Sequence, residues 1–226
     1  MSLCIVIPMK DPSQSKSRLS SVLDNNERQS LALNLFQQTL AFLCEHYPQH
    51  NTLVVTPAQS IAAIARNYGC QVLLEPSARG LNKALTSAAA HCTAQGYSSQ
   101  LVLPADIVAL DVSEFERLLN CPRETPSVVI CPALDGGTNA LLSTPPEAIP
   151  FSYGTNSSWS HYHSAGRLNV DRQFINLAKL ALDLDNPSDL QRLGSSLVTQ
   201  LKTNTQSRYL NHAKVFNSSV HKDLAV

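Results

Sequence analysis

The stretch Leu3–Ile7, LCIVI, is followed at once by Pro8–Ser20, PMKDPSQSKSRLS. Five apolar residues in a row are typical of a short strand that is buried on both faces of a sheet. The segment that follows is rich in Ser and carries three cations, Lys10, Lys16 and Arg18, against a single acidic residue. The sequence therefore predicts a buried strand that ends in a basic loop. That loop is either a solvated connection or a site that binds phosphates.

Further apolar runs alternate with helical patterns and define the fold class. TLVVT at Thr52–Thr56, CQVLL at Cys70–Leu74 and QLVLPAD at Gln100–Asp106 predict three more strands. The segments between the strands show apolar residues at helical spacing, such as the stripe Leu31, Leu35, Phe36, Leu40 and Leu43, with Asp24 or Asn25 as its cap. Alternation of this kind predicts an α/β fold, with a mixed, mainly parallel central sheet flanked by helices.

The second half of the chain is less regular. SVVICPA and TNALLST predict two strands joined by a turn at LDGG, and SSWSHYHSAG predicts a short helix. LALDLD reads as a strand ending in acidic residues, and Pro187 is placed to open a helix after it. We predict a single domain over residues 1–202. Residues 203–226 form a polar tail, either loosely held or docked as an isolated helix.

Composition excludes several classes of function. Lys and Arg number 17, as do Asp and Glu, so the molecule has no net field to attract nucleic acid or a membrane surface. No apolar stretch approaches the ~20 residues of a membrane span, and the apolar run near the N-terminus is too short for a signal peptide. The six cysteines form no C-x-x-C pair, which favours reduced thiols over disulfides. We expect a cytoplasmic protein.

Three aspartates follow predicted strands. Asp106 ends the fourth run, and Asp183 and Asp185 lie two residues apart in the late one, so that they share a face. Ligands in open α/β sheets bind outside the carboxyl ends of the strands. Two charges ~4 Å apart repel by about 4 kcal/mol at an effective dielectric constant of ~20, which a divalent cation would relieve. Oxygen ligands favour Mg²⁺. The alternative is that each aspartate caps a helix.

The basic loop acquires a role beside such a cation. Lys10, Lys16 and Arg18 would hold a nucleotide triphosphate, although neither a P-loop nor a dinucleotide-binding glycine motif is present. RGLNKAL follows the third strand, so Gly80 and Asn82 could contact a base or ribose, with Asn82 as a plain helix N-cap equally open. For His161 and His163, core or surface roles are favoured over metal binding, and for Trp159, packing over base stacking.

Six short motifs now carry a resemblance. IPMKDPSQSKSRLS, EPSARGLNKAL, LVLPAD, GGTNALL, FSYGTNS and LALDLDNPSDL occur in the order found in the phospholactate guanylyltransferase (CofC-type) family of deazaflavin coenzyme F-420 biosynthesis. The similarity extends from Ile5 to Leu193. It implies the GT-A-like nucleotidyltransferase fold, also found in sugar-nucleotide and molybdopterin nucleotidyltransferases.

The resemblance also implies a reaction and a set of residues. GTP and a phosphorylated three-carbon acid (2-phospho-L-lactate, phosphoenolpyruvate or 3-phospho-D-glycerate) would give a guanosine diphosphate-linked product and pyrophosphate. The implied residues are grouped by role: Mg²⁺ ligands Asp106, Asp183 and Asp185; nucleotide-phosphate residues Lys10, Lys16 and Arg18; guanosine residues Gly80 and Asn82; and acid-substrate residues Thr138, Gly154 and Ser157. Of these, Asp106, Lys16 and Arg18 would act in catalysis. A homodimer, and direct transfer of the product to the next transferase, remain open.

The sequence departs from the family pattern at two places. Ile107 and Val108 follow Asp106 where Leu-Pro is common, and Asn156 stands where the phosphate loop usually has a second glycine. Two other functions remain as alternatives. One is a related nucleotidyltransferase that uses CTP or UTP with a pterin or sugar phosphate, and the other is a non-catalytic nucleotide-binding module.

Overall fold

A seven-stranded sheet forms the centre of the computed structural model, which describes residues 2–122 and 124–192. The strands are β1 Leu3–Pro8, β2 Asn51–Thr56, β3 Gln71–Leu74, β4 Ser99–Val102, β5 Ser127–Pro132, β6 Thr138–Thr144 and β7 Asp171–Phe174. The helices are α1 Asn25–His46, α2 Gln59–Asn67, α3 Leu81–Ala94, α4 Val112–Leu119 and α5 Ser157–Arg167. Two short 3-10 turns, Pro12–Gln14 and Ser17–Leu19, precede α1.

The sheet is mixed and mainly parallel, as the sequence predicts. Its order is β3-β2-β1-β4-β6-β5-β7, and β6 is the strand that runs antiparallel to both of its neighbours. Pairing is parallel for β1 with β2, β1 with β4, β2 with β3, and β5 with β7. The α/β prediction is confirmed. The hairpin that joins β5 to β6 turns through LDGG, also as predicted.

Helix α1 shows how local sequence fixes an element boundary. Asp24 accepts a hydrogen bond from the Glu27 N–H at 2.8 Å, and the Glu27 carboxylate accepts one from the Asp24 N–H at 2.9 Å. This reciprocal pair is a capping box, which satisfies two backbone donors at the start of the helix. Of the two predicted caps, Asp24 is therefore the one used. The predicted apolar stripe of α1 is buried, from Leu31 to Leu43.

Two element predictions need correction. The fourth strand ends at Val102 instead of running to Asp106, and residues 105 and 106 form a turn. LALDLD forms no strand, because its pairing is limited to one antiparallel bridge between Ile107 and Asp183. Helix α4 and strand β7 were not predicted. Residues 187–192 are helical from Pro187, as expected.

The described residues belong to two compact units. The first comprises Met1–Asp11 with Phe36–Leu184, and the second joins Pro12–Leu35 to the chain that begins at Asp185. The single domain over residues 1–202 stays a prediction, and the predicted tail 203–226 lies outside the described residues. Among the described helices, none combines the length and apolar character needed to cross a membrane.

The strand ends that carry several of the predicted site residues lie at one edge of the sheet in the first unit. Strands β1 to β4 are mutually parallel, so the segments after their carboxyl ends, which carry Lys10, Gly80 and Asp106, lie along the same edge. Because β6 runs the opposite way, its first residue, Thr138, faces that edge too. A register shift between Cys131 and Pro132 disturbs the ladder opposite Thr138, and such bulges are common beside functional sites.

Candidate active site

A pair of carboxylates lies at this edge. Ile107 forms a bridge with Asp183, the Val108 N–H donates to the Leu182 carbonyl at 3.1 Å, and the Leu184 N–H donates to the Asp106 carbonyl at 3.4 Å. These backbone contacts place the segment after β4 against the segment around Asp183. Asp106 and Asp183, which are 77 positions apart in sequence, are brought together in this way.

The electrostatics of Asp183 reflect that proximity. Its pKa is raised to about 6, first by burial and then by the negative charge of Asp106, with a smaller contribution from Asp135. Burial and a nearby like charge both penalise the ionised form of a carboxyl. The Asn139 amide, 3.5 Å from Asp183 Oδ1, acts in the opposite direction. A carboxylate pair with this repulsion would be stabilised by a cation placed between its members.

The segment that carries Asp183 is tethered from two sides. The Glu114 carboxylate accepts hydrogen bonds from the backbone N–H groups of Lys179 and Leu180 at 3.0 to 3.1 Å. From β6, the Asn139 amide donates to the Leu180 carbonyl at 3.1 Å. Buried or charge-assisted bonds of this kind fix the backbone. Glu114 and Asn139 therefore position Asp183, a role that the sequence analysis missed.

The helix-cap alternatives for the aspartates are wrong. Helix α4 is capped by Asp111, whose Oδ1 accepts from the Glu114 N–H at 3.1 Å. The helix that begins at Pro187 is capped by Asn186, whose Oδ1 accepts from the Ser188 N–H at 3.0 Å. Asp106, Asp183 and Asp185 thus cap neither of these helices.

Asp185 lies in the second unit, where it meets two residues of the basic loop. The Arg18 guanidinium forms an ion pair with Asp185 at 2.8 Å, and Lys16 Nζ lies 3.9 Å from its other carboxylate oxygen. Lys16 is 7% exposed and has a left-handed backbone, φ 55°, which is unusual for a residue other than glycine, asparagine or aspartate. Strained backbone of this kind is concentrated at functional sites.

A third group of residues surrounds the turn before α5. Thr138 Oγ1 lies 2.9 Å from Ser157 Oγ, so two of the implied acid-substrate residues touch. Gly154, the third, has φ 142°, a conformation that favours glycine, and open space surrounds the position of a Cβ there. Within the described part of the chain, the backbone N–H groups of Gly154, Thr155 and Asn156 donate to no other group. Consecutive free N–H groups at a helix start bind anions.

Asn82 is committed to this same turn. Its side-chain Oδ1 accepts from the Tyr153 N–H at 2.7 Å, and its Nδ2 donates to the Tyr153 carbonyl at 3.2 Å. The N-cap position of α3 is occupied by Gly80, so the N-cap alternative for Asn82 is wrong. Both polar atoms of the amide hold the turn before α5 in place. Gly80 itself has φ 92° and open space at its Cβ position, and its predicted contact with guanosine stays a prediction.

His161 is a core residue, as the sequence analysis favoured, but its polar contacts were not foreseen. It is fully buried on α5, with Nδ1 3.2 Å from Thr138 Oγ1 and Nε2 3.0 Å from the Ser152 nitrogen. Burial lowers its pKa to about 4, so the ring is neutral near pH 7. Trp159, 54% exposed, packs against Tyr162 and Phe174.

The departure at Asn156 is explained by its backbone. Asn156 has φ 53° and ψ 31°, the left-handed conformation that a glycine would adopt without strain and that asparagine tolerates better than other residues. The turn therefore keeps the shape of a glycine-containing loop. Asn156 Oδ1 also fills the space beside Gly136, where an added Cβ would lie 3.0 Å from it.

We expect Asn156→Val to lower the free energy of unfolding by about 1–2 kcal/mol, because a β-branched residue is strained in this conformation. Asn156→Gly should change it by less than ~1 kcal/mol, since glycine needs no strain but loses more chain entropy. Urea unfolding measures both. Asn169, which follows the other end of α5 and also has a left-handed backbone with φ 55°, offers the matched control position. A Val variant at 156 as stable as the parent would contradict the strain argument.

Metal binding was predicted for three aspartates, and the structure unites two of them, Asp106 and Asp183, within one unit. Over the described ranges, no group of three or more His, Cys, Asp or Glu side chains is assembled as a metal cluster. The carboxylate pair and its raised Asp183 pKa are the features that suit a hard cation. Mg²⁺ binding, and the participation of Asp185 in it, stay predictions.

The fold is that of nucleotidyltransferases. A nucleotidyl transferase from Methanothermobacter thermautotrophicus superimposes with a TM-score of 0.60 at 13% identity, over 88% of this chain and 99% of that chain. This likeness shows the fold alone, and the class of the protein, a nucleotidyltransferase, is shown by its sequence relatives.

The family is narrower. Residues 3–215 match the model of the guanylyl transferase CofC-like family, and the chain belongs to that family. It is 52% identical over 198 residues to a 3-phospho-D-glycerate guanylyltransferase of Colwellia psychrerythraea, covering 87% of this chain and 94% of that protein. It is 36% identical over 197 residues to a phosphoenolpyruvate guanylyltransferase of Rubrobacter xylanophilus, covering 87% and 95%. The resemblance found in the sequence motifs is confirmed.

Proposed function

We propose that this protein transfers GMP from GTP to a phosphorylated three-carbon acid, with 3-phospho-D-glycerate as the preferred acid. An oxygen of the acid's phosphate attacks the α-phosphorus of GTP, the bond between the α-phosphorus and the bridging oxygen breaks, and pyrophosphate leaves. The choice of acid rests on the 52% identity to the Colwellia protein of that name. The proposal includes Mg²⁺ dependence and a place in the biosynthesis of a deazaflavin coenzyme of the F-420 type.

The observation that supports the proposal is the turn before α5, which would bind the acid as an anion. A phosphorylated acid is multiply charged, and the free N–H groups of Gly154, Thr155 and Asn156 offer three donors at the positive end of an eleven-residue helix. Thr138 and Ser157 add hydroxyls beside that turn. Charge-assisted hydrogen bonds contribute about 1.5–3 kcal/mol each, enough to orient a small anion.

The chain's own residues then divide into two tasks. The turn before α5 would fix the acid so that its phosphate oxygen lies in line with the α-phosphorus, and no protein nucleophile is needed. Lys10, Lys16 and Arg18 would neutralise the triphosphate and the departing pyrophosphate. Asp106 and Asp183, with Asp185, would hold Mg²⁺. When bound, that ion would cancel charge on the phosphate oxygens.

The ion pair between Arg18 and Asp185 suggests how the two residues would exchange each other for ligands. In the second unit, the two side chains satisfy each other at 2.8 Å, with Arg18 68% exposed. A solvent-exposed pair is worth at most ~1 kcal/mol, so it is easily exchanged for stronger partners. A cation would take the place of Arg18 beside Asp185, and a phosphate would take the place of Asp185 beside Arg18. Binding of either ligand would free the residue that binds the other, so the two ligands would favour each other.

A pyrophosphate-release assay tests the proposal. With GTP and Mg²⁺, we expect turnover with 3-phospho-D-glycerate, and less with phosphoenolpyruvate or 2-phospho-L-lactate. Mass spectrometry should find the guanosine diphosphate-linked acid. CTP and UTP serve as controls for the alternative transferases, and omission of the acid serves as the control for simple GTP hydrolysis. The absence of pyrophosphate with GTP and all three acids would overturn the proposal.

A further inference from the structure

His161 touches the candidate acid site from inside the core. Its two ring nitrogens contact Thr138 Oγ1 and the Ser152 backbone nitrogen, at 3.2 and 3.0 Å. The Tyr153 ring packs edge-on against the imidazole, with 4.9 Å between ring centroids, and shields it from water. Both partners lie at the turn or strand end that carries the anion site. No role for a histidine follows from the family motifs.

The contact with Ser152 fixes which nitrogen of the ring carries the proton. A backbone N–H can only donate, so His161 Nε2 must be the acceptor. A neutral imidazole has one N–H, which is therefore on Nδ1. That N–H donates to Thr138 Oγ1.

The tautomer in turn decides what the two hydroxyls can offer to a ligand. Thr138 and Ser157 together have two hydroxyl hydrogens, and one of them is used in the bond between the two oxygens. The other cannot go to His161, because Nδ1 already carries a hydrogen. One hydroxyl hydrogen is therefore left for a further acceptor, such as a phosphate or carboxylate oxygen.

The opposite tautomer would reverse this polarity. With its proton on Nε2, the ring would accept the Thr138 hydrogen at Nδ1, and the Ser157 hydrogen would turn to Thr138. The hydroxyl pair would then present lone pairs, which repel an anion. The Ser152 N–H thus acts through His161 to keep the pair a donor.

We infer that His161 is a positioning residue that directs the Thr138 and Ser157 hydroxyls to donate to the anionic group of the acid substrate. The inference rests on the proposed function and extends it to a residue in the core. Because His161 is fully buried, we expect it to touch neither the substrate nor the nucleotide. Its effect should therefore fall on binding of the acid and pass through Thr138.

A double-mutant cycle separates this role from a merely structural one. His161→Leu removes both ring contacts at similar volume, and Thr138→Val removes the hydroxyl without changing the shape. We expect each single variant to raise the KM for the acid about tenfold, the effect of one hydrogen bond to a charged group. The KM for GTP and kcat should stay within about twofold. In the double variant, the acid KM should equal that of the worse single variant, because both changes break the same contact.

Two further variants complete the design. His163→Leu changes an exposed histidine two residues along α5 and should leave every constant unaltered. His161→Asn keeps a donor near the position of Nδ1, so the acid KM should stay within about threefold of the parent, and Thr138→Val should again raise it about tenfold. If His161→Leu fails to fold, the comparison of His161→Asn with and without Thr138→Val still tests the inference.

Multiplying effects in the cycle, or equal increases in the KM for GTP and for the acid, would overturn the inference. These outcomes differ from failure of the proposed function. In that case the parent protein itself releases no pyrophosphate with any of the three acids, whatever the variants do.

Discussion

Asp106→Asn is expected to lower kcat at least ~1,000-fold while the protein remains folded. If Asp106 and Asp183 hold Mg²⁺, an amide at position 106 replaces a negatively charged ligand of the cation by a neutral one. The cation is then held less well, and less of the phosphate charge is cancelled. A thousandfold loss corresponds to about 4 kcal/mol of transition-state stabilisation, within the range attributed to a bound metal ion. The pyrophosphate-release assay at saturating Mg²⁺ measures it.

The same substitution should make the metal-free protein slightly more stable above pH 6. The negative charge of Asp106 is one cause of the raised pKa of Asp183, so removing that charge relieves repulsion in the folded state. Thermal unfolding in the presence of EDTA would show a higher Tm for the variant than for the parent. Lost activity with gained stability is a combination that general damage to the fold does not produce.

Asp135→Asn is the matched control for this experiment. Asp135 also acts on the pKa of Asp183, but more weakly, and its Oδ1 accepts a hydrogen bond from the Gly137 N–H that an asparagine can still accept. It makes the same change of charge on the same edge. We expect its kcat to stay within about threefold of the parent. Equal loss in both variants would show that net charge, and not the carboxylate pair, governs turnover.

Most of the sheet could be predicted because its strands have a recognisable local sequence pattern. The apolar runs that become β1 and β2, and the turn at LDGG, are short-range patterns whose meaning does not depend on the rest of the chain. Strand β7, DRQF, carries one apolar residue in four and is a sheet edge. Strand β7 forms because it pairs with β5, and not because its own residues favour a strand. Its sequence therefore gave no signal that predicts it.

The candidate site divides in the same way. Asp106 was predicted from its place after an apolar run, and Thr138 from a motif that resembles the family. By contrast, the contacts of Asn82 with Tyr153, 71 positions away, and of His161 with Thr138 have no local signature. Tertiary hydrogen bonds between distant residues depend on the packing of whole elements. The structure is needed to see that these two residues support the site from behind.

The second large effect is expected in the dependence of stability on pH. His161 has a folded-state pKa of about 4, below its ordinary value of 6.5, because burial disfavours the charged ring. Between these two values the unfolded chain binds more protons than the folded one, so the folded state loses stability as the pH falls from 6.5 to 4. From pH 7 to pH 5 the loss attributable to His161 is about 2 kcal/mol.

Other groups titrate in the same range, and one of them opposes His161. The raised pKa of Asp183 means that the folded state binds protons more tightly there between about pH 4 and 6, which adds stability on acidification. The net slope of the parent is therefore smaller than the contribution of His161 alone. Only a difference between variants isolates the histidine.

His161→Gln supplies that difference. Glutamine does not titrate, and its side-chain oxygen can reach toward the Ser152 N–H that Nε2 now binds. Urea unfolding in EDTA at pH 7 and pH 5 should show that the variant loses about 2 kcal/mol less than the parent over this interval. His163→Gln, which removes an exposed histidine, should follow the parent. If the His161 variant shows the same loss as the parent, the ring is not held neutral, and the proton arrangement that makes Thr138 and Ser157 donors would have no physical basis.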